Sequence, residues 1–116
     1  MKNQELMTAR GILLTDQYQL TMAQLYFRMG MHEMTAQFDH FFRSYPDYGM
    51  HQAGFCINAG LDSAIDWLDE AVFGQEEINY LKNHKTARGG RLFGDDFLKW
   101  LRDDFSAKAI NLYAVP

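Results

Sequence analysis

Three observations predict a single α+β domain. Apolar residues recur at helical intervals in four stretches, strand-type patterns occupy three shorter ones, and 116 residues leave room for only one core. A chain of this size can bury roughly two thirds of its unfolded surface, enough to hold such a core together.

The elements follow in order. The first ten residues are polar and expected to fray, so residues 1–11 read as a flexible amino terminus and residues 12–116 as the domain. Ile12-Leu13-Leu14 leads into a helix over residues 16–29. Thr15 or Asp16 can cap it, and Asp16 with Gln19 has capping-box spacing. Met22, Leu25, Tyr26 and Met29 recur at helical intervals, and Gly30 follows where a C-terminal glycine belongs. Residues 35–43 read as a strand, with Ala36, Phe38, His40 and Phe42 on one face and Gln37, Asp39, Phe41 and Arg43 on the other.

Residues 44–53 carry Pro, Gly, Asp and Tyr and form a loop, and the apolar run 54–57 reads as a second strand. Asn58 is placed to cap a helix bearing Leu61, Ala64, Ile65 and Leu68, a segment that Gly74 ends. Glu76 and Glu77 open a short helix at its dipole-positive end, with Ile78 and Leu81 facing inward. The basic, glycine-containing stretch 84–91 is a loop. Asp95 or Asp96 begins a last helix carrying Phe97, Leu98, Leu101 and Phe105. Ile110, Leu112 and Ala114 alternate with Asn111 and Tyr113 as a third strand, one expected to continue past Pro116. Helix, strand, strand, three helices, strand is an α+β order.

Composition excludes several classes. Eleven basic against fifteen acidic side chains give a net charge of −4, which argues against a general nucleic-acid binder. Cys56 stands alone, so there is no internal disulfide and no cysteine-based zinc site; a reducing, cytoplasmic compartment fits. No apolar run approaches the ~20 residues of a membrane span, and the start lacks a signal-peptide core. His32 and His51 fall in turns, His84 near a helix end, and His40 on an apolar strand face as an expected core histidine. None has a second ligand at metal spacing. The aromatic share of 15% is high, and some of these rings suit surfaces that meet other protein.

The segment Leu13-Leu14-Thr15-Asp16-Gln17-Tyr18-Gln19-Leu20-Thr21-Met22 resembles the opening signature of nicotinate phosphoribosyltransferases: a leucine-rich lead, Thr-Asp, one variable residue, then Tyr-Gln-Leu-Thr-Met. Phe41-Phe42-Arg43, the helix-opening Ala59-Gly60-Leu61, and Leu112-Tyr113-Ala114-Val115-Pro116 agree in order and spacing. The likeness thus runs from Leu13 to the last residue. Two loops depart from it. Residues 44–49 lack the family's Pro-Phe-Gly-Gly stretch, and residues 86–94 look like an insertion relative to short members.

The resemblance implies an amino-terminal α/β domain whose catalytic barrel domain is absent from these residues. It implies an enzyme joining nicotinate to phosphoribosyl pyrophosphate with release of pyrophosphate, giving nicotinate mononucleotide for NAD synthesis. ATP hydrolysis is coupled through a phosphorylated histidine expected downstream of Pro116, and magnesium assists. The active site forms at a homodimer interface. No cofactor is expected on the present residues, and no nucleic acid or membrane partner.

Three residues are substrate-binding candidates by this resemblance. Tyr18 matches the tyrosine that stacks on the pyridine ring in the partner subunit's site; the alternative is a tyrosine packed in the first helical turn. Asp16 either positions Tyr18 and the ring or simply caps the helix. Arg43 suits phosphate or pyrophosphate because its planar fork binds phosphate oxygens bidentately; a surface ion pair is the alternative. Gln19 and Thr21 read as helix-surface or supporting groups. The loop Arg88-Gly89-Gly90-Arg91 has the glycines to cradle an anion but no following phosphate-loop motif, so a solvated loop competes with that role.

Two functional readings follow. One is the amino-terminal part of such an enzyme, inactive by itself and lending residues to a shared site. The other is a stand-alone binding or regulatory module of the same fold. Assembly with a separately encoded catalytic chain would require a large exposed apolar face.

Overall fold

The computed structural model describes residues 11–45, 47, 49–50 and 54–114. Within them lie four α-helices, α1 (Gln17–Arg28), α2 (Leu61–Glu70), α3 (Gln75–Lys82) and α4 (Asp95–Asp103), followed by a 3₁₀ turn at Ala107–Ala109.

Helix α1 stops as its sequence predicts. Gly30 takes a left-handed φ of 69°, and its N–H donates to the Phe27 carbonyl at 3.0 Å. The Met31 N–H reaches the Tyr26 carbonyl at 2.8 Å, completing a Schellman closure. The start differs in one respect. Asp16 is the N-cap, but its side chain makes no capping bond, so the expected pairing with Gln19 is not formed. Helix α2 begins after Gly60, whose φ of 91° turns the chain, and not after Asn58. It ends at Glu70, four residues before Gly74, because Ala71 is already extended; Gly74 instead precedes α3 as its N-cap.

The core is built on α3 and α4. Ile78 and Leu81 of α3 are buried, as are Phe97, Leu98 and Leu101 of α4 and Phe93 just before it. Phe97 is fully buried, at 0% exposure, and its ring lies 5.7 Å from Phe27, 6.1 Å from Phe93 and 6.2 Å from Trp100. Tilted and offset rings at such spacings add to the area they bury. Both helices obey the dipole rule. Acids occupy their first turns (Glu76 and Glu77; Asp95 and Asp96), and Lys82 and Arg102 their last. The loop between them is closed by a bridge between Lys85 and Arg91 and by the Leu92 N–H on the His84 carbonyl at 3.0 Å.

The packed stripe of α1 is not the one its most conspicuous apolar spacing suggests. Leu20, Ala23 and Phe27 rest on the core beside the buried Gln24, whereas Met22, Leu25, Tyr26 and Met29 are exposed. Helix α2 likewise packs through Trp67 and Leu68, leaving Leu61 and Ile65 largely in solvent.

The strand half of the α+β expectation is not found among the described residues. Residues 35–43, 54–57 and 110–114 form no ladder. Alternation tells which face of a strand is apolar, but a strand exists only when another backbone pairs with it, and these segments have no such neighbour. Their side chains are correspondingly exposed, Phe38 at 91%. His40, expected in a core, is exposed too, with its ring edge-on to Phe42 at 5.6 Å. The expected flexible residues 1–10 lie outside the described residues, as do His51, Val115 and Pro116.

Two predictions arise from this packing. Phe97→Ala should cost about 3–5 kcal/mol in urea unfolding of the 116-residue chain, as buried aromatic truncations do. Leu25→Ala on the outer stripe of α1 should cost under about 0.5 kcal/mol; comparable losses would mean that the wrong stripe has been taken as the buried one. The second concerns pH. Arg91 grips Asp95 through two bonds of 2.9 and 2.7 Å, which hold the carboxyl below its ordinary 3.8. Because the folded value is the lower one, this contribution is complete above 3.8 and fades as pH falls through the depressed value. The stability gap between wild type and Asp95→Asn should therefore be present at neutral pH and vanish well below pH 3.8; a gap that persists in acid would refute the ion-pair origin.

Candidate functional site

The chain entering α1 is fixed by a compact turn. Ile12 is buried and Leu13 partly so, which anchors the backbone to the core. The Gly11 carbonyl accepts from the Leu14 N–H at 3.1 Å and from the Trp67 indole N–H at 3.0 Å, tying this turn to α2. The Thr15 N–H donates to the Leu13 carbonyl at 2.8 Å. With Ile12 and Leu13 turned inward, Leu14 is left outside. The result is an open depression of about 530 Å³ lined by Leu14, Thr15, Asp16 and Gln19.

Its electrostatics come from the helix end. The Gln17 and Tyr18 N–H groups have no helical carbonyl four residues before them, so they point out with the positive end of the dipole. No acidic residue stands in the first turn, and the Asp16 carboxylate is not spent on capping. Among the described residues, the Asp16 carboxylate makes no hydrogen bond or ion pair at this helix end.

Tyr18 stands in that first turn with 58% of its surface exposed. Thr21 Oγ1 donates back to the Tyr18 carbonyl at 3.0 Å, a bond within the helix that leaves the phenol ring untouched. Of the predicted residues only Asp16 lines the depression, together with Gln19; Tyr18, two residues further along, is exposed but is not among the lining side chains. Arg43 is exposed in a bend, makes no ion pair among the described residues, and is not among the side chains lining the depression. The three predicted residues are not gathered into one pocket by these residues alone.

The glycine loop resolves toward a structural role. Arg91 is engaged by Asp95, the Gly89 N–H donates to the Thr86 carbonyl at 2.9 Å, and the Thr86 N–H donates to the Gly90 carbonyl at 2.7 Å. Arg91 and the Gly89 N–H are thus used to close the loop, while Arg88 makes no ion pair among the described residues. Elsewhere, His32 packs 4.9 Å from Phe27 and 5.3 Å from Trp100. Among the described residues no three His, Cys, Asp or Glu side chains converge as metal ligands would, and no helix is long and apolar enough to cross a membrane.

One residue of consequence was not among the sequence candidates. Gln24, 6% exposed, donates from Nε2 to the Leu92 carbonyl at 3.0 Å and accepts at Oε1 from the Gly94 N–H at 2.7 Å. The available signal was a lone amide within the stripe of Leu20, Ala23 and Phe27, where a polar group must find partners.

Comparison with known proteins agrees with this arrangement of motifs. The nicotinate phosphoribosyltransferase (NAPRTase) N-terminal domain model matches residues 13–115. The nicotinate phosphoribosyltransferase of Bacillus subtilis is 39% identical over 69 residues, covering 60% of this chain and 13% of its own length. That of Caenorhabditis elegans is 40% identical over 70 residues, covering 60% of this chain and 12% of its own. Nicotinate phosphoribosyltransferase pncB2 of Mycobacterium tuberculosis is 36% identical over 91 residues, covering 78% of this chain and 17% of its own. The matched region is therefore less than a fifth of each of these relatives. No solved structure matches the chain. With the family model spanning nearly all of its length, the chain belongs to the family of nicotinate phosphoribosyltransferase amino-terminal domains.

Proposed function

We propose that this domain works within an enzyme that joins nicotinate to phosphoribosyl pyrophosphate, with ATP hydrolysis, to give nicotinate mononucleotide and pyrophosphate. The observation that carries the reading is Tyr18: an aromatic ring left in solvent at the start of a firmly anchored helix, within the family's own motif. A flat aromatic face clamps a flat pyridine ring and excludes water from one side of it. Asp16 sits too close to the ring site to welcome nicotinate's carboxylate, so its part is to hold Tyr18 and the ring in place. Arg43 binds phosphate or pyrophosphate oxygens through its guanidinium fork.

The site is shared, in a homodimer, with a catalytic domain outside these residues, in the cytoplasm. That division explains why Tyr18 and Arg43 are free here. Magnesium and ATP act in the complete enzyme. The described side chains supply no converging metal ligands, so no step is assigned to a metal held by this domain. In the assembled enzyme, residues 35–43, 54–57 and 110–114 gain backbone partners and give the domain its α+β character; their alternating or apolar patterns and their exposure support this.

The test is a phosphoribosyl-transfer assay on the complete gene product with nicotinate, phosphoribosyl pyrophosphate, ATP and magnesium, following nicotinate mononucleotide. Tyr18→Ala should raise the nicotinate KM about three- to tenfold while the protein stays folded, and Tyr18→Phe should stay near wild type. If the wild type makes no product, the substrate assignment fails. If Tyr18→Ala is unimpaired, the tyrosine is only a helix residue.

A further inference from the structure

Helix α1 carries the proposed ring-binding residue, yet its outer side is exposed among the described residues and its inner side is held mainly by Leu20, Ala23 and Phe27. Apolar contacts of this kind are non-directional. A helix can rotate a few tens of degrees, or slide by part of its 1.5 Å rise per residue, and still bury much the same area. Tyr18 would follow such movement. At side-chain radius, a rotation of about 20° displaces a group by roughly 2 Å, and a misplacement of ~1 Å is enough to impair an oriented reaction.

Hydrogen bonds at both ends of one side chain do not permit that freedom. We infer that Gln24 is a positioning residue, whose amide fixes the rotation and axial register of α1 on the 91–94 segment and so sets the direction in which Tyr18 faces. The inference rests on the proposed nicotinate site at Tyr18. The amide is buried, and bonds of 3.0 and 2.7 Å to Leu92 and Gly94 satisfy one donor and its acceptor. A slip of one residue would strand both in an apolar surround, which costs more than the bonds gain.

The seat itself is rigid. The Leu92 N–H is tied to the His84 carbonyl, Phe93 is buried, and Arg91 forks onto Asp95. Gly94 caps α4, its carbonyl accepting from the Leu98 N–H at 3.1 Å. At position 94 the φ of −78° suits any residue, and what glycine gives is close approach of neighbouring side chains. An added Cβ would lie 2.8 Å from Asp96 Oδ1, 3.3 Å from Arg28 Nη2 and 3.7 Å from Gln24 Oε1. The segment 91–94, which follows the Arg88-Gly89-Gly90-Arg91 stretch weighed as anion cradle or solvated loop, is the platform on which α1 is oriented.

Gln24→Met keeps the packing and removes both bonds. In the complete gene product, two readouts apply. Nicotinate KM should rise by no more than the roughly three- to tenfold of Tyr18→Ala, with phosphoribosyl pyrophosphate KM unchanged, and the double variant with Tyr18→Ala should be no worse than Tyr18→Ala alone. Independently, spin labels at the exposed positions Gln17 and Lys99, with Cys56 and any other cysteine replaced, should give one narrow distance distribution in wild type. Gln24→Met should broaden or shift it by about 2 Å. An unchanged distance distribution overturns the inference whatever the kinetics, and so do penalties that simply add. If Tyr18→Ala leaves nicotinate KM unaltered, it is the nicotinate reading that fails, and the distance measurement alone decides the role of Gln24. Should Gln24→Met not fold, Gln24→Asn, too short to reach both partners, carries the same measurements.

Discussion

The fold depends on one buried amide. Gln24 joins a helix near the start of the chain to a loop some seventy residues later, bonding the carbonyl of Leu92 and the N–H of Gly94. A buried amide without partners is costly, so its two bonds select a single docking of α1 among several that would bury similar apolar area. Gly94 is also the N-cap of α4, which places the clamp at the base of the helix that supplies Phe97, the centre of the aromatic cluster. The indole of Trp67 on the Gly11 carbonyl does comparable work for α2 and the turn before α1. Two polar contacts thus hold the elements that the core itself would leave free to shift.

Around that compact helical centre the chain is markedly uneven. Phe93, Phe97 and Leu81 have almost no exposed surface, while Phe38, Phe41, Phe55, Ile57 and Tyr113 stand in solvent with the outer stripe of α1. Scattered apolar residues on a surface are ordinary, but so many large ones, with aromatics prominent among them, have the composition of interface. This sits well with a domain matched to less than a fifth of its relatives' length. Tyr18 and Arg43 are likewise exposed and make no ion pair or side-chain hydrogen bond among the described residues.

The helices were legible because their signals are local. Gly30 closes α1 through bonds to residues three and five positions earlier, and paired acids open α3 and α4, so a short window of sequence suffices. Where a local rule misled, a stronger backbone constraint overrode it. The left-handed Gly60 places the start of α2 at Leu61, where the motif Ala59-Gly60-Leu61 also puts it, and propensity alone had favoured Asn58 as the cap. Asp16 and Tyr18 lie at the entrance of α1, but nothing in the described residues gathers Tyr18 or Arg43 into the depression that Asp16 lines.

By itself, then, the sequence determined the four helices to within a few residues at each end, the inward faces of α3 and α4, and the family, because caps, periodicity and short motifs are properties of neighbouring residues. Only the tertiary structure decided which stripe of α1 is buried, since two apolar stripes compete there and the placement of Gln24 breaks the tie. It also decided that residues 35–43, 54–57 and 110–114 stay without a ladder, because a strand is defined by a partner backbone that no alternation of side chains can supply. It also decided which groups of the basic glycine loop are engaged, since Arg91 and the Thr86 and Gly89 N–H groups find partners within the fold.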